Sequence, residues 1–170
     1  VHYDSPTGFH ITETKDPNIS NISWGSTDTE GSNTLMSTSG EDILGVAFLP
    51  LKGAGIYAGI TTLNYEAYNP YNYSIALNPG SFYYFVFLHE LGHALGLGHP
   101  HHNNDYYGTF PGVSQNAPYD AGDNNLNSAP WTVMTYNVHD NNVGLTPSLQ
   151  DFTGFSSSLG AFDIAATQYL

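Results

Sequence analysis

The sequence contains no cysteine and almost no basic residues. Of its 170 residues, 2 are Lys or Arg and 15 are Asp or Glu, which gives a formal net charge of −13 at pH 7. Without thiols there is no disulfide framework, and any metal site must use histidine and carboxylate ligands. A chain this acidic cannot build the basic patch that nucleic acid or an anionic membrane requires, so we expect no nucleic-acid partner.

Long apolar runs are missing as well. No segment approaches the roughly 20 apolar residues of a membrane-spanning helix, so we expect no membrane insertion. The chain starts at Val1, with neither an initiator methionine nor a basic and apolar signal segment, which predicts a processed mature form or a trimmed chain. We find no internal repeat or dividing linker, and the length fits one domain with a real core.

Local patterns predict a small sheet, then a buried helix and irregular loops. An extended polar lead-in covers residues 1–17, and residues 81–97 are apolar and end in glycines, as a buried helix does. Residues 100–130, rich in Asn, Gly and Pro, predict a long loop, and residues 159–170 predict a partly buried C-terminal helix. The β-prone runs are residues 18–24, 42–50, 53–64 and 73–78.

The segment HELGHALGLGHP, residues 89–100, contains the residues that point to chemistry. His89 and His93 are four residues apart, so on a helix both imidazoles lie on one face and can bind the same ion. Gly96 can adopt the left-handed conformation that ends a helix, and the resulting turn lets His99 reach that ion. Three protein ligands with an open fourth position are typical of catalytic zinc. The spacing therefore predicts one catalytic Zn²⁺ ion held by these three histidines.

Glu90 follows the first predicted ligand directly. A carboxylate at this position need not bind the metal and can instead accept a proton from metal-bound water. The alternatives are a metal-bearing binding domain without catalysis and a structural domain of a secreted protein that zinc stabilises. Neither alternative requires a carboxylate beside the first ligand, so Glu90 favours the catalytic interpretation.

The string from His89 to His99 resembles the signature of the metzincin metallopeptidases, which is followed downstream by a turn around a methionine. The segment TVMTY supplies such a methionine, Met134. Pro100, the VMTY segment and the C-terminal FDIAATQYL are similar to the catalytic domain of the serralysin family. Serralysins have serine where Thr135 stands.

The resemblance implies an α+β, metzincin-like fold. A small, twisted, mostly parallel sheet and an active-site helix are followed by an irregular C-terminal subdomain with a Met-turn and a C-terminal helix. The single catalytic domain would divide into an N-terminal subdomain over about 1–99 and a C-terminal subdomain over about 100–170. Met134 would form the apolar floor of the metal site, and Tyr136 would approach the metal and donate a hydrogen bond to the oxyanion.

The implied activity is that of a secreted zinc endopeptidase that hydrolyses peptide bonds of extended protein or peptide substrates, with Glu90 as the base. The resemblance also implies a monomer that a propeptide or a protein inhibitor outside this chain keeps latent. We expect the substrate to lie against an exposed strand edge, where backbone hydrogen bonds bind without regard to sequence. We assign this edge to Gly53–Leu63.

Two further polar clusters receive weaker assignments. His101 and His102 directly follow the motif, and we favour a solvated loop over contact with substrate or with a second ion. The run over residues 120–125 carries the oxygen ligands that calcium prefers, but not in the helix-loop-helix calcium pattern, so we treat it as a loop with calcium as the alternative. Its candidate ligands are Asp120, Asp123, Asn124 and Asn125.

Overall fold

A computed structural model describes most residues of the chain, and these described residues form short strands and four helices. The described residues are 2–4, 10–12, 14–16, 20–37, 43–51, 55–68, 77–103, 108–138 and 154–169. The strands are β1 (His2–Asp4), β2 (His10–Thr12), β3 (Ser23–Thr27), β4 (Gly45–Ala47) and β5 (Ile60–Asn64). The helices are α1 (Thr29–Met36), α2 (Tyr65–Tyr68), α3 (Phe82–Ala94) and α4 (Ala161–Tyr169), and short 3₁₀ helices lie at Gly55–Tyr57 and Asp123–Asn125.

The main sheet has three strands of mixed direction. β3 runs parallel to β5, and β4 runs antiparallel to β5, so the order is β3–β5–β4. β1 and β2 form a separate antiparallel pair. The α+β class agrees with the expectation, but the described sheet is mixed and not mostly parallel.

The expected substrate edge, Gly53–Leu63, was wrong for its strand, and residues 53–54 lie outside the described part of the chain. Most of strand β5 lies in this range, and β5 is hydrogen-bonded on both sides. The glycines that suggested an edge precede the strand, where Gly59 has a φ of 73° and ends a turn after the 3₁₀ helix. The run ITTLN, with its β-branched residues, suits a strand, and Thr61 and Asn64 within it are buried. The edge strands of the described sheet are β3 and β4.

In the described part of the chain, two helices precede the predicted one. In α1, the side chain of Asp28 accepts a hydrogen bond from the Gly31 N–H at 2.7 Å, and Ser37 ends the helix with a φ of 55°. Helix α1 was not predicted, because its apolar residues Leu35 and Met36 are adjacent and form no stripe with helical period. α2 is a single turn after β5.

Helix α3 lies within the predicted helical segment and is covered on nearly every side. It begins at the cap residue Ser81, whose hydroxyl accepts a hydrogen bond from the Tyr84 N–H at 3.1 Å. Its apolar side chains join residues from the C-terminal half of the chain in one core, which explains why this helix is apolar all round. The core residues are Phe85, Leu88, Leu97, Ala129, Val133, Met134 and Phe155.

The chain after α3 has little regular structure. Within residues 95–103 and 108–138 the backbone forms turns and one short 3₁₀ helix. Helix α4 packs against this region, with the rings of Trp131 and Phe162 stacked at a centroid distance of 5.5 Å. Most of the β-prone run over 73–78 lies outside the described residues, and the division into subdomains near residue 99 stays a prediction. Among the described helices, none combines the length and apolar character that crossing a bilayer requires.

Candidate metal centre

Three imidazoles converge at the end of α3. The Nε2 atom of His99 lies 3.0 Å from Nε2 of His89 and 3.0 Å from Nε2 of His93. Nitrogen ligands at about 2.0–2.1 Å from a tetrahedral zinc lie roughly 3.3 Å from one another. Both separations are close to this value, and all three ligand nitrogens lie within 4.8 Å of one another, so they could hold a single metal ion.

The hydrogen bonds of the Nδ1 atoms determine which ring nitrogen carries the proton and which one has a free lone pair. His89 Nδ1 lies 2.7 Å from the carbonyl oxygen of Val133, and His93 Nδ1 lies 2.8 Å from that of Leu97. Because a carbonyl oxygen only accepts, both Nδ1 atoms carry the proton, and both Nε2 atoms direct lone pairs inward. A proton on His99 Nε2 satisfies one of these lone pairs, whereas a metal ion satisfies all three nitrogens.

Burial keeps these imidazoles in the neutral form that binds metals. Desolvation, with a further contribution from His93, lowers the pKa of His89 to about 3. Desolvation also lowers the pKa of His93 and, together with the neighbouring histidines, that of His99. The three imidazoles are therefore uncharged at neutral pH.

A glycine turn brings His99 back towards α3. Gly96 has a φ of 102°, a backbone conformation that other residues rarely adopt. Its N–H donates to the carbonyl of His93 at 2.9 Å, and the Leu97 N–H donates to that of Gly92 at 2.9 Å. This pair of bonds is the Schellman arrangement, which ends a helix and reverses the chain.

Glu90 lies on α3 against strand β4. Its side chain is 7% exposed, and burial raises the pKa of its carboxyl to about 8. A Cβ atom at Gly45 would lie 2.7 Å from Glu90 Cγ and 2.9 Å from Oε1, so the edge strand approaches the carboxylate closely at a glycine. Gly45 was not among the predicted site residues, and a glycine inside the apolar run LGVAF is the one local signal for it.

Met134 lies beneath α3. Its side chain is 2% exposed, and a Cβ atom at Gly92 would run into its Sδ. The segment around it is fixed by Asp163 of α4, whose carboxylate accepts hydrogen bonds from the Thr132 hydroxyl at 2.6 Å and from the Val133 N–H at 2.8 Å. The sequence analysis did not single out Asp163, because nothing local connects α4 to this segment.

Tyrosines lie on the open side of the centre. The ring of Tyr136 is 5.0 Å from that of His99 and 5.8 Å from that of His89 by centroid distance, and the residue is 42% exposed. Burial, and then the charge of Glu90, raise the pKa of its phenol. Tyr119, which is 71% exposed, lies 6.4 Å from Tyr136. The sequence analysis missed Tyr119, since it belongs to an irregular loop without any motif.

The two histidines after the motif differ in their surroundings. His102 is exposed, as a solvated loop predicts, but His101 is 4% exposed, so the expectation was wrong for that residue. Its ring stacks on that of His99 at a centroid distance of 5.0 Å. Packing against the metal centre, which the sequence does not reveal, accounts for this burial.

The polar run over residues 120–125 folds back on its own backbone. The carboxylate of Asp120 accepts hydrogen bonds from the N–H groups of Ser114 at 2.9 Å and Gly122 at 3.1 Å, and these bonds lower its pKa. Among the described residues, the groups of His, Asp and Glu that could hold a metal ion consist of histidines. Calcium at this loop stays a prediction.

Comparison with known families gives one match. Residues 3–119 of the 170-residue chain match the Matrixin family of peptidases. This region contains all three converging histidines and Glu90, and it ends before Met134 and Tyr136. No curated protein matches the chain. Since the match covers more than half of the chain and includes the centre described above, the protein belongs to the Matrixin family and is a metallopeptidase of the metzincin type.

Proposed function

We propose that this protein is a zinc-dependent endopeptidase in which His89, His93 and His99 hold one catalytic ion. The observation that carries the proposal is the convergence of their three Nε2 atoms. That of His99 lies 3.0 Å from each of the other two, and buried carbonyls fix those of His89 and His93 as lone-pair donors. Structural zinc is usually closed by four protein ligands, mostly thiolates. A bound zinc ion supplies Lewis acidity, which polarises a carbonyl group and lowers the pKa of water.

Glu90 is the general base in this proposal. Its carboxylate takes a proton from the attacking water and passes it to the leaving amine nitrogen. An ordinary exposed glutamate is a weak base, but burial raises the pKa of Glu90 to about 8. A nearby cation favours the ionised form and brings the pKa down again, towards the neutral range where a general base is most effective.

Tyr136 is the proposed donor to the oxyanion. Its ring lies beside those of His99 and His89 and remains partly exposed, so a substrate carbonyl can reach the phenol. The raised pKa keeps the phenol protonated, as a hydrogen-bond donor must be. This role rests on the serralysin resemblance of the segment around Met134.

The substrate edge that this proposal favours is strand β4. In the described sheet β4 pairs with β5 alone, and its first residue, Gly45, adjoins the Glu90 side chain. An extended peptide added along this edge brings its backbone past the base, and main-chain hydrogen bonds hold it whatever its side chains are. We therefore replace Gly53–Leu63 with Gly45–Ala47 as the binding edge.

The proposed setting follows the family resemblance. We propose a secreted monomer that acts on protein or peptide substrates and is kept latent by a propeptide or a protein inhibitor. The net charge of −13 supports the absence of a nucleic-acid partner.

The proposed activity is tested on the purified protein with casein and with a peptide blocked at both termini. We expect one zinc per chain, internal cleavage of the blocked peptide, loss of cleavage with a chelator and recovery on adding zinc. The blocked peptide separates an endopeptidase from an enzyme that needs a free terminus. No cleavage of either substrate at one zinc per chain would favour the catalytically inactive binding or structural domain.

A further inference from the structure

A second group of histidines adjoins the metal centre and shares His99 with it. One ligand nitrogen from each of His99, His101 and His102 lies within 4.8 Å of the other two. His99 offers a different ring nitrogen to each group. Its Nε2 faces His89 and His93, while its Nδ1 lies 3.2 Å from Nδ1 of His102.

An anchored turn holds these side chains together. The His102 N–H donates to the His99 carbonyl at 3.1 Å, and Pro100 occupies the second position of the turn, which suits the fixed φ of proline. The Phe110 N–H donates to the Pro100 carbonyl at 2.9 Å. The Asn116 N–H donates to the His101 carbonyl, also at 2.9 Å. The imidazoles therefore project from a backbone that is tied to two other parts of the loop.

His101 has a buried nitrogen that no hydrogen bond satisfies. The residue is 4% exposed, and its Nδ1 has no hydrogen-bond partner within the described residues. Burying an unpaired imidazole nitrogen costs free energy that a ligand to this nitrogen would recover. His89 and His93, in contrast, both have carbonyl partners for Nδ1.

We propose that His99, His101 and His102 form a second site for a transition-metal ion, and that the imidazole of His99 bridges this ion and the catalytic one. Imidazole ligands suit zinc, copper and nickel ions. The second ion takes the place of the proton on His99 Nδ1, which is released to solvent. The His101 ring stacks on that of His99, so it must rotate for its nitrogen to point at the same ion. The inference goes beyond the proposed peptidase, because the catalytic ion uses only the Nε2 atom of His99 and leaves its Nδ1 atom without a role.

The site is tested first by counting zinc ions. Metal-free full-length chain is dialysed against a series of free zinc concentrations, and bound zinc per chain is measured. We expect two ions for the wild type, and one ion for His102→Ala and for His101→Gln. His10→Ala serves as the control for loss of an arbitrary imidazole, because His10 lies in β2 of the separate two-stranded sheet, and it keeps two ions.

The bridge is tested by copper. With two Cu²⁺ ions per chain, a bridging imidazolate couples their spins, so the electron paramagnetic resonance intensity per copper falls well below that at one ion per chain. His102→Ala, whose replaced side chain is exposed, keeps the full intensity per copper. Two ions with uncoupled signals would overturn the bridge.

Other outcomes overturn the site itself. A single zinc in the wild type at saturation would overturn it and leave the peptidase proposal intact, with His102 as a hydrogen-bond partner of His99 only. Two ions retained in both His101→Gln and His102→Ala would locate the second ion elsewhere. No zinc in the wild type would instead contradict the proposed peptidase. Far-UV circular dichroism of each variant checks that the buried His101 position tolerates the change.

Discussion

The proposed oxyanion role of Tyr136 distinguishes a serralysin-like site from that of a generic metzincin. Replacing it with Phe keeps the ring and deletes the hydroxyl. If the hydroxyl donates to the oxyanion, kcat falls by about 10²–10³-fold with KM little changed, as for the loss of one oxyanion donor. Steady-state kinetics on one peptide, with zinc content measured, check this. Tyr169→Phe is the matched control, because Tyr169 is 92% exposed on α4.

An unchanged kcat of Tyr136→Phe at full zinc occupancy would contradict the oxyanion role. Tyr136 would then be a packing residue beside His99, and the centre would resemble that of a generic metzincin.

The sequence predicted the local part of the candidate site and missed the partners that come from elsewhere in the chain. The spacing of His89 and His93 on one helix and the glycine at position 96 depend on residues within one short segment, so they are visible in the sequence. The Val133 carbonyl and Gly45 are brought to the centre by tertiary packing. Apart from the glycine inside the apolar run LGVAF, no local pattern indicates these contacts.

At the scale of single elements, strand β4 positions the proposed base. Gly45→Ala places a Cβ atom 2.7 Å from Glu90 Cγ, so the glutamate side chain must shift. A displacement of about 1 Å in a reacting group can cost about 10²-fold in rate, and we expect kcat to fall by this order while zinc content is unchanged. Peptide hydrolysis kinetics and metal analysis measure both quantities.

Gly25→Ala is the control for the same substitution in the same sheet. A Cβ atom at Gly25 would meet Thr62 Cγ2 at 3.8 Å, an ordinary contact, so normal turnover is expected. Equal losses in the two variants would mean that the effect of Gly45→Ala comes from the sheet and not from Glu90.

Helix α4 holds the segment around Met134 through one carboxylate. Asp163→Asn replaces one acceptor oxygen with an NH2 donor group, so the side chain can no longer accept from the Val133 N–H, the Gly160 N–H and the Thr132 hydroxyl together. Leaving a buried donor unsatisfied costs about 1–3 kcal/mol, so we expect the free energy of unfolding to fall by that amount. Denaturant unfolding of the zinc-free protein measures it.

The control for Asp163→Asn is Glu30→Gln, which also neutralises one carboxylate but on the exposed side of α1. Surface substitutions of this kind usually stay within about 0.5 kcal/mol. A loss for Asp163→Asn that is no larger than the loss for Glu30→Gln would show that the bonds of Asp163 do not hold the segment.

At the scale of the whole molecule, helix α3 and the segment around Met134 pack into the same hydrophobic core. Phe85 and Leu88 of α3 pack in the same cluster as Val133 and Met134, so the helix bearing two proposed ligands and the floor beneath them fold together. The apolar composition of residues 81–97 predicted both that α3 is a helix and that it is buried. The strand order was not predictable in the same way, because pairing joins residues far apart in sequence, such as Trp24 and Thr61.

The central claim is that Glu90 acts as a base next to a zinc ion that it does not bind. It is tested most directly by the turnover of Glu90→Gln on a blocked peptide, with zinc per chain measured in the same sample and in the wild type. The substitution keeps the shape of a side chain that is 7% exposed and removes its ability to take a proton. General acid–base groups contribute about 10²–10⁴-fold in rate, so we predict one zinc per chain and a fall in kcat of at least 10²-fold. Near-normal turnover, or loss of the zinc, would contradict the account.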